Sequence, residues 1–137
     1  MVIMAVDIGG VRTGLAVCDA GERLASPAGV LVEHNRERLA ERIAHEAEAH
    51  GVQQFVVGLP RNMDGSEGSA AKAAREFAAL LGARTGLPCV LQDERGTTVT
   101  AHRYLSAAGV RGKKRKAVTD AVAAVIILQD YLDAKPG

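Results

Sequence analysis

Residues 1–19 read MVIMAVDIGGVRTGLAVCD, and this stretch decides the fold. Val2 to Val6 is an unbroken apolar run, not an alternating one, as expected of a strand covered on both faces. Gly9, Gly10 and Gly14 punctuate the chain before a second apolar run, Leu15 to Cys18. The turn formers Asp19-Ala20-Gly21 then lead into a third strand that ends around Gly29 to Val32. The opening predicts a three-strand antiparallel meander with an acid, Asp7, closing its first strand.

Working outward, Leu39, Ala40, Ile43, Ala44 and Ala47 recur at helical period between Arg36 and His50, with Asn35 placed to cap the helix and Gly51 to stop it. Phe55 to Val57 is a short strand closed by Gly58-Leu59-Pro60, and Asn62-Met63-Asp64-Gly65-Ser66 is a loop of turn formers. A second helix over Ser69 to Thr85 buries Ala70, Ala74, Phe77 and Leu81, and Val90 to Gln92 is the last strand, with Asp93-Glu94 at its end. Thr97 or Thr98 can cap a third helix running to about Ala108. Gly109 and Gly112 flank a basic linker, and a final helix from about Ala117 to Leu132 turns Val118, Val122, Val125, Ile126 and Leu132 inward. Right-handed crossovers place the fourth and fifth strands parallel to the first. The prediction is one α/β domain over residues 1–137: a mixed five-stranded sheet, three antiparallel strands then two parallel, flanked by helices.

Composition narrows the function. Only 3% of residues are aromatic and Trp is absent, which disfavours a single-strand binder that stacks bases on aromatic platforms. Two cysteines, Cys18 and Cys89, make neither a disulfide framework nor a four-ligand zinc site, and suit the reducing cytoplasm as small buried hydrophobes. The longest apolar run, Ala121 to Leu128, is far short of the ~18 residues of a membrane span, so no membrane partner is expected. The formal net charge of +1 conceals an uneven distribution. Arg95, Arg103, Arg111, Lys113, Lys114, Arg115 and Lys116 stand in a window without acids, +7 against −6 elsewhere. Such a segment points to a polyanionic partner, although the run GKKRK could also be a solvated loop.

Sites in open α/β sheets lie at the carboxyl ends of the parallel strands. Asp7 and Glu94 both fall there, and Asp120, read as a first-turn acid of the last helix, would be carried over the same edge. Each has an ordinary alternative: a turn hydrogen bond for Asp7, helix N-terminal charge for Asp93 and Glu94, dipole stabilisation for Asp120. Together they suit two Mg²⁺ or Mn²⁺ ions and phosphodiester hydrolysis. His34, His45, His50 and His102 read as surface positions.

Four ordered motifs carry a resemblance: Asp7-Ile8-Gly9 with Arg12, Gly14 and Ala16; Val57-Gly58-Leu59-Pro60 with Asn62 to Ser66; Asp93-Glu94-Arg95 with Thr97-Thr98; and Asp120 with Ala123-Ala124, Ile126 to Gln129 and Tyr131-Leu132. They span nearly the whole chain and resemble the YqgF nucleases, also called RuvX, which are similar to Holliday-junction resolvases. One departure is Thr119, where the family commonly has an apolar residue before its third acid. The resemblance implies an RNase H-like fold and a metal-binding triad at Asp7, Glu94 and Asp120. It further implies metal-dependent nuclease activity, on the 5′ end of precursor 16S ribosomal RNA or, in the older proposal, on branched DNA. On that basis Asp7 would bridge two ions that Glu94 and Asp120 each complete. Lys116, four residues before Asp120, would steady transition-state charge, and Arg12, Arg95, Lys113, Lys114 and Arg115 would bind the nucleic-acid backbone. Symmetric cutting of a four-way junction would need a homodimer, for which Ala-rich helix faces are available. The Asp7-Ile8-Gly9-Gly10 turn is also similar to the first phosphate motif of sugar kinases and actin-like ATPases. Those proteins duplicate the domain, and 137 residues hold one copy. A non-catalytic nucleic-acid binding module that keeps these acids for structural reasons is the other alternative.

Overall fold

The computed structural model of the chain describes residues 1–62, 64–93 and 112–134, the last stretch by its backbone alone as far as residue 120. The elements are β1 (Ile3–Ile8), β2 (Arg12–Cys18), β3 (Ala25–Val32), α1 (Arg36–His50), β4 (Gln54–Leu59), α2 (Ser69–Thr85), β5 (Cys89–Asp93) and α3 (Gly112–Ala134). They form one five-stranded sheet in the order β3-β2-β1-β4-β5. The meander is antiparallel, with Asp7 opposite Gly14 and Gly14 opposite Val30, while β4 runs parallel to both β1 and β5. This is the mixed sheet the opening stretch predicts. The helix expected between Thr97 and Ala108 lies outside the described residues.

Local chemistry explains the boundaries. The Asn35 side chain accepts a hydrogen bond from Arg38 N at 3.0 Å and starts α1, and Gly51 ends it in the left-handed conformation at φ 68°. Asp19 Oδ1 accepts from Arg23 N and Leu24 N at 2.8 and 3.0 Å, closing the turn into β3 and holding the Asp19 carboxyl below its usual range. β3 is an edge strand, which is where Pro27 can sit without costing a ladder bond.

Because side chains alternate along a strand, β1 divides two cores. Met4 and Val6 join Leu39, Ile43, Phe55, Val57, Phe77 and Leu81 beneath α1 and α2. Ile3 and Ala5 join Ala16, Val56, Ala124, Ile127 and Leu128 beneath α3. The second core is thin, because alanines on both sides let α3 approach the sheet closely. Two polar contacts fix the helix along its axis: Gln129 Oε1 accepts from Ala25 N at 3.0 Å, and Gln54 Nε2 donates to Tyr131 Oη at 2.9 Å.

Four expectations need correcting. On α2 the inward residue is Ala71 and not Ala70, which is exposed. On α3 the buried stripe is Ala123, Ala124, Ile127, Leu128 and Leu132, with Val125 packed against it as expected, while Val122 and Ile126 are only partly buried and the side chain of Val118 lies outside the described residues. Residues 121–128 are apolar all round, so their periodicity does not set the phase of the helix. The sheet sets it, by accepting the small alanines. α3 also starts at Gly112, not near Ala117, so Lys113 to Lys116 are helical and not a linker, as suits the helix propensity of Lys and Arg. In consequence Asp120 is not a first-turn residue: it is the ninth of α3, beyond the reach of the helix N-terminal dipole.

Candidate functional site

Asp7 is the penultimate residue of β1 and is partly buried. Strand alternation puts it on the face of Ile3 and Ala5, which is the face that α3 covers. Its neighbours across the sheet carry no side chains. Gly14 is its partner on β2, and Gly58 stands one residue beyond the Val6–Val57 pair on β4. No Cβ therefore stands beside the carboxylate at these two neighbouring positions.

The chain just after Asp7 is held tightly. Gly9 N donates to Arg12 O at 2.9 Å, and a Cβ on Gly9 would meet that oxygen at 2.4 Å, so only glycine fits there. Arg36, the first residue of α1, donates from Nη2 to Gly9 O at 3.1 Å, and Glu33 N donates to Val11 O at 2.8 Å. The hairpin that presents Asp7 is thus braced from the α1 side. Arg12, expected on the nucleic-acid surface, opens β2 opposite Val32 and is partly buried.

β5 ends at Asp93, which pairs in register with Leu59. Cys89 and Leu91 pack on the α1/α2 core, so Asp93, two residues on, shares that face and points away from Asp7. Asp93 stands 3.9 Å from Arg61 and so has a structural partner. Glu94 and Arg95 lie outside the described residues. Asp120 and Lys116 are four residues apart within one continuous helix, and Lys113, Lys114 and Arg115 fill the turns before them. Among the described residues no three His, Cys, Asp or Glu side chains gather as metal ligands. The structure places Asp7 on the α3 face and Asp120 on α3 itself.

Sequence reasoning passed over Arg61, Glu67 and Arg75, an ion-paired row beside β5, because surface arginines and glutamates carry no pattern of their own. Cys89 is no nucleophile at neutral pH, since burial pushes its thiol up to about 11. His34, His45 and His50 are exposed, as expected. No helix among the described residues is long and apolar enough to cross a membrane.

The profile of the family described as "RuvX: Holliday junction resolvase" matches residues 1–134. The chain belongs to the RuvX family. A relative of this RuvX chain from Kineococcus radiotolerans, called "Putative pre-16S rRNA nuclease", is 46% identical over 134 residues, covering 96% of the chain and 71% of the relative. One of the same name from Listeria monocytogenes is 42% identical over 135 residues, covering 97% and 98%. Among solved structures, the T. thermophilus RuvC in complex with a Holliday junction substrate superposes with a TM-score of 0.61 at 16% identity, covering 98% of this chain and 94% of that one. The fowlpox virus Holliday junction resolvase gives 0.60 at 11% identity, covering 98% and 100%. These likenesses establish the RNase H-like fold of the RuvX chain.

Proposed function

We propose that this RuvX chain is a divalent-metal-dependent nuclease that hydrolyses phosphodiester bonds at the 5′ end of precursor 16S ribosomal RNA. The observation that carries the reading is Asp7, held at the carboxyl end of β1 between Gly14 and Gly58 and facing the helix that bears Asp120. Three carboxylates offer the hard oxygen donors that Mg²⁺ or Mn²⁺ prefers, and the strand positions flanking Asp7 are glycines, which set no side chain beside it. Asp7, Glu94 and Asp120 would hold two ions, which when bound supply a water of lowered pKa and charge neutralisation at the phosphate. Relatives more than 40% identical carry the name of a pre-16S rRNA nuclease, and this favours RNA. Resolution of branched DNA is the second reading, favoured by the family's description and the fold shared with resolvases. The test is a comparison of a 5′-extended 16S precursor with a four-way DNA junction, each with Mg²⁺, Mn²⁺ or excess EDTA. Metal-dependent shortening of the precursor is expected; cutting of the junction alone would favour the second reading.

The basic segment supplies the substrate contact. Lys113 to Lys116 occupy the opening turns of α3, whose first turn contains no acid and where the helix dipole is already positive. A phosphate backbone neutralises both. Changing Lys113, Lys114 and Arg115 together to Ala is expected to weaken RNA binding and to lower the slope of log K against log salt by about two to three. Binding measured from low to moderate salt checks this, and an unchanged slope would make the run a solvated surface.

A further inference from the structure

We propose that the rim of the sheet beyond Asp7 is a shelf for the sugar-phosphate backbone of the substrate strand, with Val32 as its apolar seat beside Arg12; the inference takes its ligand from the nuclease reading above. Asp7, Gly14 and Val30 stand in register on one face of the sheet. Two residues nearer the rim, Arg12 and Val32 pair on that same face, and Gly9 N is bonded to Arg12 O. The two rows differ in exposure. Gly14 is buried and Asp7 and Val30 are partly so, whereas Gly9 and Gly10 are exposed, Arg12 is partly buried and Val32 is 57% open. Val32 lies two strand spacings and two residues from Asp7, about 12 Å away. It therefore meets a nucleotide beside the scissile phosphate and not that phosphate itself.

Three features fit this rim to a polyanion. The first is a cation without an anion. The side chain of Arg12 makes no hydrogen bond or ion pair among the described residues, whereas Arg36, Arg42, Arg61, Arg75 and Arg84 each hold a carbonyl or a carboxylate. The donors of a partly buried guanidinium are thus left for a phosphate, which it can grip at two oxygens. Glu33, next to Val32, does not offset it, because its carboxylate turns to α1, accepting from Asn35 N at 3.2 Å and lying 3.9 Å from Arg42. The second feature is a rigid seat. Arg36 Nη2 donates to Gly9 O at 3.1 Å, Arg42 Nη1 donates to Val32 O at 2.9 Å, and Glu33 N donates to Val11 O at 2.8 Å. Helix α1 thus holds both sides of the rim before any ligand arrives, so binding has little chain to order. The third is an open exit: β3 is the edge of the sheet, and a nucleic-acid strand that crosses Val32 runs out past it. The Val32 methyls pack on a sugar but offer no partner to its 2′-hydroxyl, so the shelf holds RNA and DNA alike.

The experiment measures the dissociation constant of a 5′-extended 16S precursor RNA, and of a DNA strand of the same sequence, in EDTA over a salt series. KM and kcat with Mg²⁺ and the melting temperature are read beside it. The variants are Val32→Asp, Val32→Lys and, as a control, Leu24→Asp, which places the same charge at an equally open apolar residue about 27 Å away at the other end of β3. Val32→Asp is expected to weaken binding of both strands, and to raise KM, about tenfold through repulsion of the phosphates, with kcat and melting temperature nearly unchanged. Val32→Lys should tighten binding and steepen the slope of log K against log salt by about one, as one added phosphate contact does. Leu24→Asp should leave RNA affinity as in the wild type. Equal affinity in the wild type and both Val32 variants overturns the shelf, as does a loss in Leu24→Asp as large as that in Val32→Asp, which would reduce the effect to net charge. A loss confined to RNA overturns the claim that the shelf is indifferent to the sugar. Should Val32→Asp fail to fold, wild-type affinity and salt slope in Val32→Lys overturn the proposal instead. Binding in EDTA involves no cleavage, so a wild-type protein that shows this pattern yet cuts nothing with any metal would overturn the nuclease reading and not the shelf.

Discussion

Asp7→Asn is expected to lower metal-dependent cleavage by well over 100-fold while leaving the fold intact. The magnitude follows from position. Groups that only orient a metal ligand cost about 10–100-fold when removed, and a carboxylate that itself held the ions, as proposed for Asp7, would cost more than they do. Asn has nearly the shape of Asp and fits the same place opposite Gly14, so β1 keeps its register between β2 and β4. The change should therefore shift the melting temperature little. Cleavage rates at saturating Mg²⁺, with a thermal melt of each protein, check both halves. A rate within tenfold of wild type would mean that Asp7 holds no catalytic ion.

The residues around Asp7 were legible in the chain because each follows from a strong local rule. An unbroken apolar run makes a covered strand, and glycines at 9, 10 and 14 mark a tight hairpin; the structure confirms both, with Gly9 packed too closely on Arg12 O for any side chain. The α1 boundaries, Asn35 and Gly51, were equally plain, because capping is a contact between neighbours in sequence. What was not legible depends on distant partners. The inward face of α3 is chosen by Ala5 and Ala16 across the second core, which nothing within Ala121 to Leu128 announces. The start of α3 at Gly112 was hidden because glycine ordinarily breaks a helix and a basic run ordinarily reads as loop. Of the candidate site, Asp7 was read in its place. The role of Asp93 in pairing with Arg61 emerged only from the folded chain, since it joins the ends of two parallel strands 32 residues apart in sequence.

Ala124→Leu is expected to cost cleavage far more than it costs stability, because α3 is a lever with Asp120 on it. Ala124 is fully buried against a layer that includes Ala5 and Ala16, and it stands one helical turn from Asp120. Three extra carbons there overpack the interface by about 1–3 kcal/mol. At about 3–5 °C per kcal/mol for a chain of this size, the melting temperature should fall by roughly 3–15 °C. The helix cannot relieve the strain by sliding, since Gln129 holds Ala25 N and Tyr131 holds Gln54 farther along it. It must instead lift away from the sheet at its Asp120 end. A shift of ~1 Å between groups that act together can cost about 100-fold in rate. Cleavage measured well below the melting temperature should therefore fall by about that factor, whereas Ala134→Leu, at an exposed position of the same helix, should leave rate and melting unchanged. If the rate of Ala124→Leu falls no further than its unfolded fraction requires, then the approach of α3 to the sheet is not what sets the spacing of the carboxylates.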